Sequence, residues 1–152
     1  MVAVGAEILR RSIGLDCPID HAFDVFVGKI DFWWPRTHRK SPDSTLSIEG
    51  SDLVERSADG SRWVMARIVR SRPPDLLVLD WYPGSPAAPT NVEVQFAPAG
   101  DSTEITVTHR ALRPNAAEIW PARVPIFEKG WEAVLPAFKS FVEEIHGERN
   151  EE

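Results

Sequence analysis

The carboxyl-terminal part of the chain carries an apolar stripe that needs a wide partner surface. Its apolar residues recur three and four positions apart, the spacing that places side chains on one face of an α-helix. They are Phe127, Gly130, Trp131, Val134, Leu135, Phe138, Phe141, Val142 and Ile145. Only the strand-like segments before this helix can cover such a stripe. The sequence therefore predicts a long terminal helix packed on a sheet, with any ligand lying between the two.

Several segments before the helix alternate apolar and polar residues, which is typical of strands. They cover residues 7–16, 45–49, 52–58, 62–72, 75–82, 90–97 and 102–110. Short separators rich in turn residues, such as Asp59-Gly60 and Pro83-Gly84-Ser85-Pro86, join most of the later strands. Connections this short require consecutive strands to pair antiparallel. A curved antiparallel sheet of six or seven strands is expected.

Two short helices are predicted between the first and second strands. Pro18 suits the first position of a helix, and the apolar residues that follow recur with helical spacing up to Gly28. A second helical turn begins at Ile30 and ends before Pro35. Pro121 and Pro125 interrupt the approach to the last helix, so its first part is expected to be a loop or lid.

Composition narrows the classes of function. The 152 residues predict one domain over 1–147 and an acidic, disordered tail over 148–152. Much of the net charge of −6 lies near that tail, and no basic stripe suits nucleic acid. Cys17 is the single cysteine and the histidines are scattered, so neither a disulfide nor a metal site is expected. The sequence carries no recognisable cofactor motif, membrane span or signal peptide, which predicts a cytoplasmic protein without a cofactor.

Five local stretches carry a family resemblance. They are residues 18–26 (PIDHAFDVF), 32–35 (FWWP), 73–81 (PPDLLVLDW), 103–110 (TEITVTHR) and 130–135 (GWEAVL). In this order and spacing the chain resembles the START-like (SRPBCC) superfamily, and most closely its branch of homologues of the heat-shock-protein-90 ATPase activator. The resemblance implies an α+β helix-grip fold with a hydrophobic cavity between the sheet and the terminal helix. It implies no particular chemistry, because the superfamily includes lipid carriers, polyketide cyclases and hormone receptors.

Aromatic side chains are the first candidates for lining such a cavity, and the sequence has six tryptophans. Each offers a large apolar body and one N–H donor. Trp81 and Trp131 suit core packing, whereas Trp33, Trp34 and Trp120 lie near helix ends and prolines, where pocket mouths occur. The predicted cavity residues are Trp33, Trp34, Trp63, Trp81, Trp120, Trp131 and Phe138.

Polar residues within the strands supply candidates for orienting a ligand. His109 shares a strand face with Ile105 and Val107, so it is either a base or donor in the cavity or a neutral core histidine. Arg67 could pair inside the cavity with Glu55 or Asp80, although an outward ladder of charges is the simpler arrangement.

Two further features of the chain leave alternatives open. His38 lies in a basic loop with Arg36, Arg39 and Lys40, which either binds an anionic group or is solvated. Gly130 within the helical stripe indicates either close approach of the helix to the sheet or space left for a ligand.

Three functions are compatible with this pattern. The first is a non-catalytic carrier or sensor of a hydrophobic small molecule, such as a lipid, a sterol or an aromatic polyketide. The second is a cyclase or hydrolase that uses His109 with a nearby carboxylate. The third is a chaperone-associated module, which the resemblance suggests but the short chain disfavours, since the eukaryotic co-chaperones carry a further domain. A homodimer, formed through an edge strand or the tryptophan-rich end, stays open.

Overall fold

The computed structural model describes residues 8–82, 89–111 and 114–150. Within them seven strands and three α-helices follow one another. The strands are β1 (Leu9–Leu15), β2 (Thr45–Glu49), β3 (Asp52–Arg56), β4 (Arg62–Arg72), β5 (Leu76–Trp81), β6 (Thr90–Ala99) and β7 (Ser102–Arg110). The helices are α1 (Ile19–Gly28), α2 (Ile30–Trp33) and α3 (Pro114–Asn150), and one 3₁₀ turn covers Arg36–His38. The bounds of the strands, α1 and α2 lie close to the predicted ones, whereas α3 begins earlier than predicted. The predicted turn at 83–86 lies outside the described residues.

All seven strands form one antiparallel, curved sheet in the order β1-β7-β6-β5-β4-β3-β2. Strands β2 to β6 each pair with the next strand in the sequence, and β1 forms one edge of the sheet beside β7. This sheet with its long terminal helix confirms the predicted helix-grip fold. None of the described helices combines the length and apolarity required to cross a bilayer.

The core lies between the inward face of the sheet and the stripe of α3. Trp131, Val134, Leu135, Phe138 and Val142 are buried, as the helical spacing predicted. The ring of Phe26 on α1 lies between those of Phe96 and Phe138, with centroids 5.7 and 5.1 Å away. Helix α1 therefore fills the space at one end of the sheet, and α3 covers the rest.

The prediction of a loop or lid at Pro121 and Pro125 is wrong, because α3 is helical from Pro114 to Asn150. Both prolines, like Pro136, are exposed, so the missing backbone N–H groups and the proline rings fall on the solvent side. Trp120 and Val124 on the opposite face are buried and extend the apolar stripe towards the start of the helix. The free energy gained by burying that face exceeds the cost of placing prolines in the helix. The helix also includes the first residues of the segment predicted as an acidic tail.

A β-bulge in the pairing of β3 with β4 sets which side chains face inward. The register shifts between Leu53 and Val54, so that Leu53 pairs with Ala66 and Val54 with Val64. Met65 is the extra residue on β4, and strict alternation is broken there. Trp63 and Ala66 consequently lie on the inward face, and Arg67 points outward.

Candidate functional site

Three open spaces border Trp81, the last residue of β5. The largest of these three is an outer groove of about 690 Å³ between the loop after α2 and strands β3 to β5. A second space, the throat, has about 200 Å³ and lies between this end of the sheet and α3. A third, the inner gap, lies deeper between sheet and helices and has only about 20 Å³. Trp81 borders all three, so the groove, the throat and the inner gap are neighbours around one side chain.

Aromatic packing explains why the inner gap is small. Trp34, Trp81 and Trp131 form a tryptophan cluster whose ring centroids lie 5.6 to 6.3 Å apart. Their side chains fill the middle of the sheet–helix space, where the sequence placed the cavity. The usable volume is therefore at the end of the sheet, and the tryptophan cluster forms its floor.

Helix α3 forms one wall of the throat through Phe127, Gly130 and Trp131. A Cβ atom built on Gly130 would meet no neighbouring heavy atom within 4 Å. Close approach of helix and sheet therefore does not explain this glycine. The second alternative from the sequence, space beside the helix, agrees with the structure.

His109 lies below the throat, fully buried at the end of β7. The indole N–H of Trp131 donates to its Nδ1 over 3.1 Å, which leaves the proton on Nε2. Nε2 lies 2.7 Å from Thr90 Oγ1, and that hydroxyl donates in turn to the backbone carbonyl of Trp81 over 3.4 Å. Burial lowers the pKa of His109 from 6.5 to about 3, so the imidazole is neutral at ordinary pH.

The loop between α2 and β2 is held by a buried arginine. The side chain of Arg39 donates to the carboxylate of Asp31 over 2.9 Å and to the backbone carbonyls of Asp31, Trp34 and Ser44 over 2.6 to 2.9 Å. Asp31 also accepts the backbone N–H of Leu46, which ties α2 to β2. Arg39 is therefore a structural residue of the groove wall, unlike a solvated loop cation. The wall it supports includes His38 and Lys40.

Glu55 on β3 is a buried charged residue of the groove wall, with 1% of its surface exposed. Its Oε2 accepts the backbone N–H of Lys40 and the hydroxyl of Ser44, each over 2.6 Å. Its cross-strand neighbour is Trp63, which also lines the groove. Among the described residues no ion pair involves Glu55. The outward ladder of charges expected from the sequence therefore does not include this residue.

Positive charges surround the mouth of the groove. The ammonium of Lys40 lies over the ring of Trp63, 5.1 Å from its centroid. Arg62 forms a longer ion pair, 3.4 Å, with Glu49. Both cations are exposed, so solvent and salt screen them. The electrostatic character of the wall changes from cationic at the mouth to the buried carboxyl group of Glu55 inside.

The structure brings together four of the predicted cavity residues: Trp34, Trp63, Trp81 and Trp131 line the groove or the throat. Three other predicted cavity residues, Trp33, Phe138 and Trp120, lie in the core. Trp33 packs between Phe26 and Phe138 and donates its N–H to the carbonyl of Phe26 over 3.3 Å. Phe138 is fully buried.

Trp120 stacks on Phe127 and packs against His109, so it too belongs to the core. Arg67 does not join the site: its side chain is exposed and pairs with Asp52 over 3.3 Å on the outer face of the sheet. The bulge at Met65 is the reason, since it breaks the parity that linked Arg67 with Trp63.

Two lining residues gave no signal that singled them out in the sequence. Met65 lies at the bulge and borders both groove and throat, and Tyr82 follows Trp81 at the groove edge. Periodicity treats Met65 as an ordinary strand residue, because a bulge depends on pairing with β3. Among the described residues there is no group of three His, Cys, Asp or Glu side chains that could hold a metal ion.

A curved antiparallel sheet and a long terminal helix define a helix-grip protein of the START/SRPBCC class. Residues 16–143 match the family described as activator of Hsp90 ATPase homolog 1-like protein, and the chain belongs to that family. No curated protein matches the sequence.

Solved structures share the fold at low sequence identity. The anthrahydroquino-γ-pyrone synthase Txn09 is 24% identical, with a TM-score of 0.60 over 91% of this chain and 98% of that one. CalU16 from Micromonospora echinospora is 20% identical, with a TM-score of 0.57 over 89% and 72%. DynU16, from the dynemicin biosynthetic locus, is 16% identical, with a TM-score of 0.60 over 90% and 47%. Identities this low establish the common fold alone.

Proposed function

We propose that this protein binds a planar, largely apolar small molecule of the aromatic polyketide type in the throat and outer groove, as a non-catalytic carrier or sensor. The observation that carries the proposal is that the groove and the throat lie side by side at Trp81, with the tryptophan cluster beneath them and open space beside Gly130. Indole faces favour stacking with flat rings over branched aliphatic chains. The two spaces together lie in the size range of small-molecule sites.

The comparisons support an aromatic ligand over a lipid or sterol. Txn09 is a synthase of an anthrahydroquino-γ-pyrone, and DynU16 comes from the dynemicin biosynthetic locus. The fold therefore occurs in a synthase whose named product is a fused aromatic compound, and in a protein from a biosynthetic locus. A carrier with this ligand would work in the cytoplasm, the location that the sequence predicts.

The state of His109 favours binding over catalysis by that residue. An acid–base catalyst needs a proton acceptor within reach of substrate and a pKa near the working pH. His109 is sealed beneath the tryptophan cluster, both of its nitrogens are hydrogen-bonded, and burial holds its pKa at about 3. The cyclase or hydrolase hypothesis thus loses the base on which it depended. An effect on a chaperone ATPase, which the family description suggests, would be a separate activity.

Substitution of Gly130 tests the position of the ligand. Gly130→Leu would place a branched side chain in the throat, and we expect it to weaken binding of 2-hydroxyanthraquinone at least about tenfold. Binding is measured by isothermal titration calorimetry and by quenching of tryptophan fluorescence.

Gly130→Ala is the matched control. A single methyl group leaves most of the throat open, so the affinity should stay near that of the wild type. The free energy of unfolding should rise by about 1 kcal/mol, because alanine is the better helix former and nothing blocks its Cβ. Unchanged binding by Gly130→Leu would show that the ligand does not occupy the throat. No binding by the wild-type protein would refute an aromatic ligand of this kind.

A further inference from the structure

The burial of Glu55 in the wall of the groove lowers the stability of the fold unless its carboxyl group is compensated. A buried charged group is destabilising unless it is hydrogen-bonded or paired. Here both hydrogen bonds from the protein go to one oxygen, Oε2, and come from the backbone of Lys40 and the hydroxyl of Ser44. The other oxygen, Oε1, receives neither of them.

Neighbouring residues place the carboxyl group of Glu55 within the path that the proposed ligand would follow. Glu55 is the cross-strand partner of Trp63, and both line the outer groove with Trp81. Trp81 also borders the throat. A flat molecule lying against Trp81 in the throat therefore extends toward the part of the groove that contains Glu55.

Alternative roles for Glu55 leave Oε1 unexplained. Holding the loop that contains Lys40 and Ser44 requires one acceptor oxygen, which an amide would supply equally well. Pairing with a cation does not account for it, since none of the described lysines, arginines or histidines forms an ion pair with Glu55. An acceptor in the wall of a binding site is the arrangement by which a site selects ligands that carry a donor.

We propose that Glu55 is the specificity-determining residue of this site, and that its Oε1 accepts a hydrogen bond from a hydroxyl group on the aromatic ligand. The inference rests on the proposed function and deepens it by defining the ligand class. The preferred ligand is a flat aromatic compound with a free phenolic hydroxyl at its outer edge. The O-methylated counterpart of this ligand cannot donate a hydrogen bond, so it leaves Oε1 of Glu55 without a donor.

The experiment compares two probes that differ only in the donor, 2-hydroxyanthraquinone and 2-methoxyanthraquinone. Wild-type protein should bind the hydroxy compound roughly tenfold to hundredfold more tightly in calorimetric titrations. In Glu55→Gln the amide oxygen can still accept from Lys40 and Ser44, whereas its NH₂ group presents donors to the groove. That variant should fold normally and lose the preference for the hydroxy probe.

Ser44→Ala is the matched control, because it removes one anchor of the loop and leaves Oε1 unchanged. It should weaken both probes by a similar factor and keep the preference between them. Equal affinity of wild-type protein for the two probes would overturn the role of Glu55 and leave the proposed function standing. A parallel loss for both probes in Glu55→Gln would assign Glu55 to loop structure alone. Failure of both probes to bind would overturn both proposals.

Discussion

His109 illustrates how the surroundings of one side chain remove its acid–base chemistry. The imidazole accepts from Trp131, lies within hydrogen-bonding distance of Thr90, and is cut off from water. The unfolded chain takes up a proton at this residue below about pH 6.5, whereas the folded protein resists protonation until about pH 3. The folded pKa is the lower one, so this residue destabilises the fold progressively as pH falls through that window.

We predict a measurable pH dependence of stability from this residue. Between about pH 7 and about pH 5, the contribution of His109 to the free energy of unfolding should fall by about 2 kcal/mol. His109→Gln, which does not titrate, should show a correspondingly flatter profile in urea denaturation. His38→Gln at an exposed position serves as the control and should keep the wild-type slope. Identical slopes for all three proteins would contradict this account.

The loop from Arg36 to Ser44 is held in place because the guanidinium of Arg39 joins it to α2: it donates to Asp31 and Trp34 at the helix and to Ser44 at the end of the loop. A fork of N–H donors can satisfy several acceptors at fixed positions, which an ammonium cannot do. Arg39 meets four such acceptors, and its side chain is 1% exposed. Glu55 fastens the same loop from the sheet side through Lys40 and Ser44.

Removing the guanidinium should therefore destabilise the whole domain as well as the loop. We expect Arg39→Ala to lower the free energy of unfolding by about 3–5 kcal/mol, because it removes the charged donor shared by the carboxylate of Asp31 and three backbone carbonyls. Arg36→Ala is the comparison in the same loop. That side chain is exposed, and its loss should cost about 1 kcal/mol. Guanidinium denaturation of both variants measures the difference, and equal losses would show that Arg39 is no special anchor.

The molecule as a whole is a sheet whose concave side is largely filled, with the groove and the throat at the end that contains Trp81. Ligand binding at that end should stabilise the entire domain, since only the folded chain presents the site. At a free ligand concentration of about one hundred times Kd, the gain is about 2.7 kcal/mol. For a chain of 152 residues this corresponds to an increase in Tm of about 5–10 °C.

Calorimetric melting with and without 2-hydroxyanthraquinone checks this increase. Gly130→Leu, with the throat filled, should show little or no shift at the same ligand concentration. Gly130→Ala should shift as the wild-type protein does. An undiminished shift in Gly130→Leu would place the binding site elsewhere on the molecule.

Local periodicity was sufficient to predict the helices and strands and their order, apart from the first part of α3. Alternation in β6 and β7 correctly placed Val92, Val94, Ile105 and His109 on the buried face. The stripe of α3 likewise identified Trp131 and Phe138 as inward residues. These predictions succeed because the direction of a side chain within one regular element depends only on the geometry of that element.

The candidate site was less predictable, because each of its features depends on contact between distant segments. The bulge at Met65 arises from pairing with β3 and turns Arg67 outward. The burial of Glu55 depends on a loop that folds over it and supplies Lys40 and Ser44 as donors.

The sequence alone was thus enough to establish the helix-grip architecture and the identity of its core faces. The volume, position and polarity of the open space were settled only by tertiary packing. A cavity is what remains after all side chains have packed, and no local pattern records the tryptophan cluster that fills the middle or the glycine that leaves the throat open.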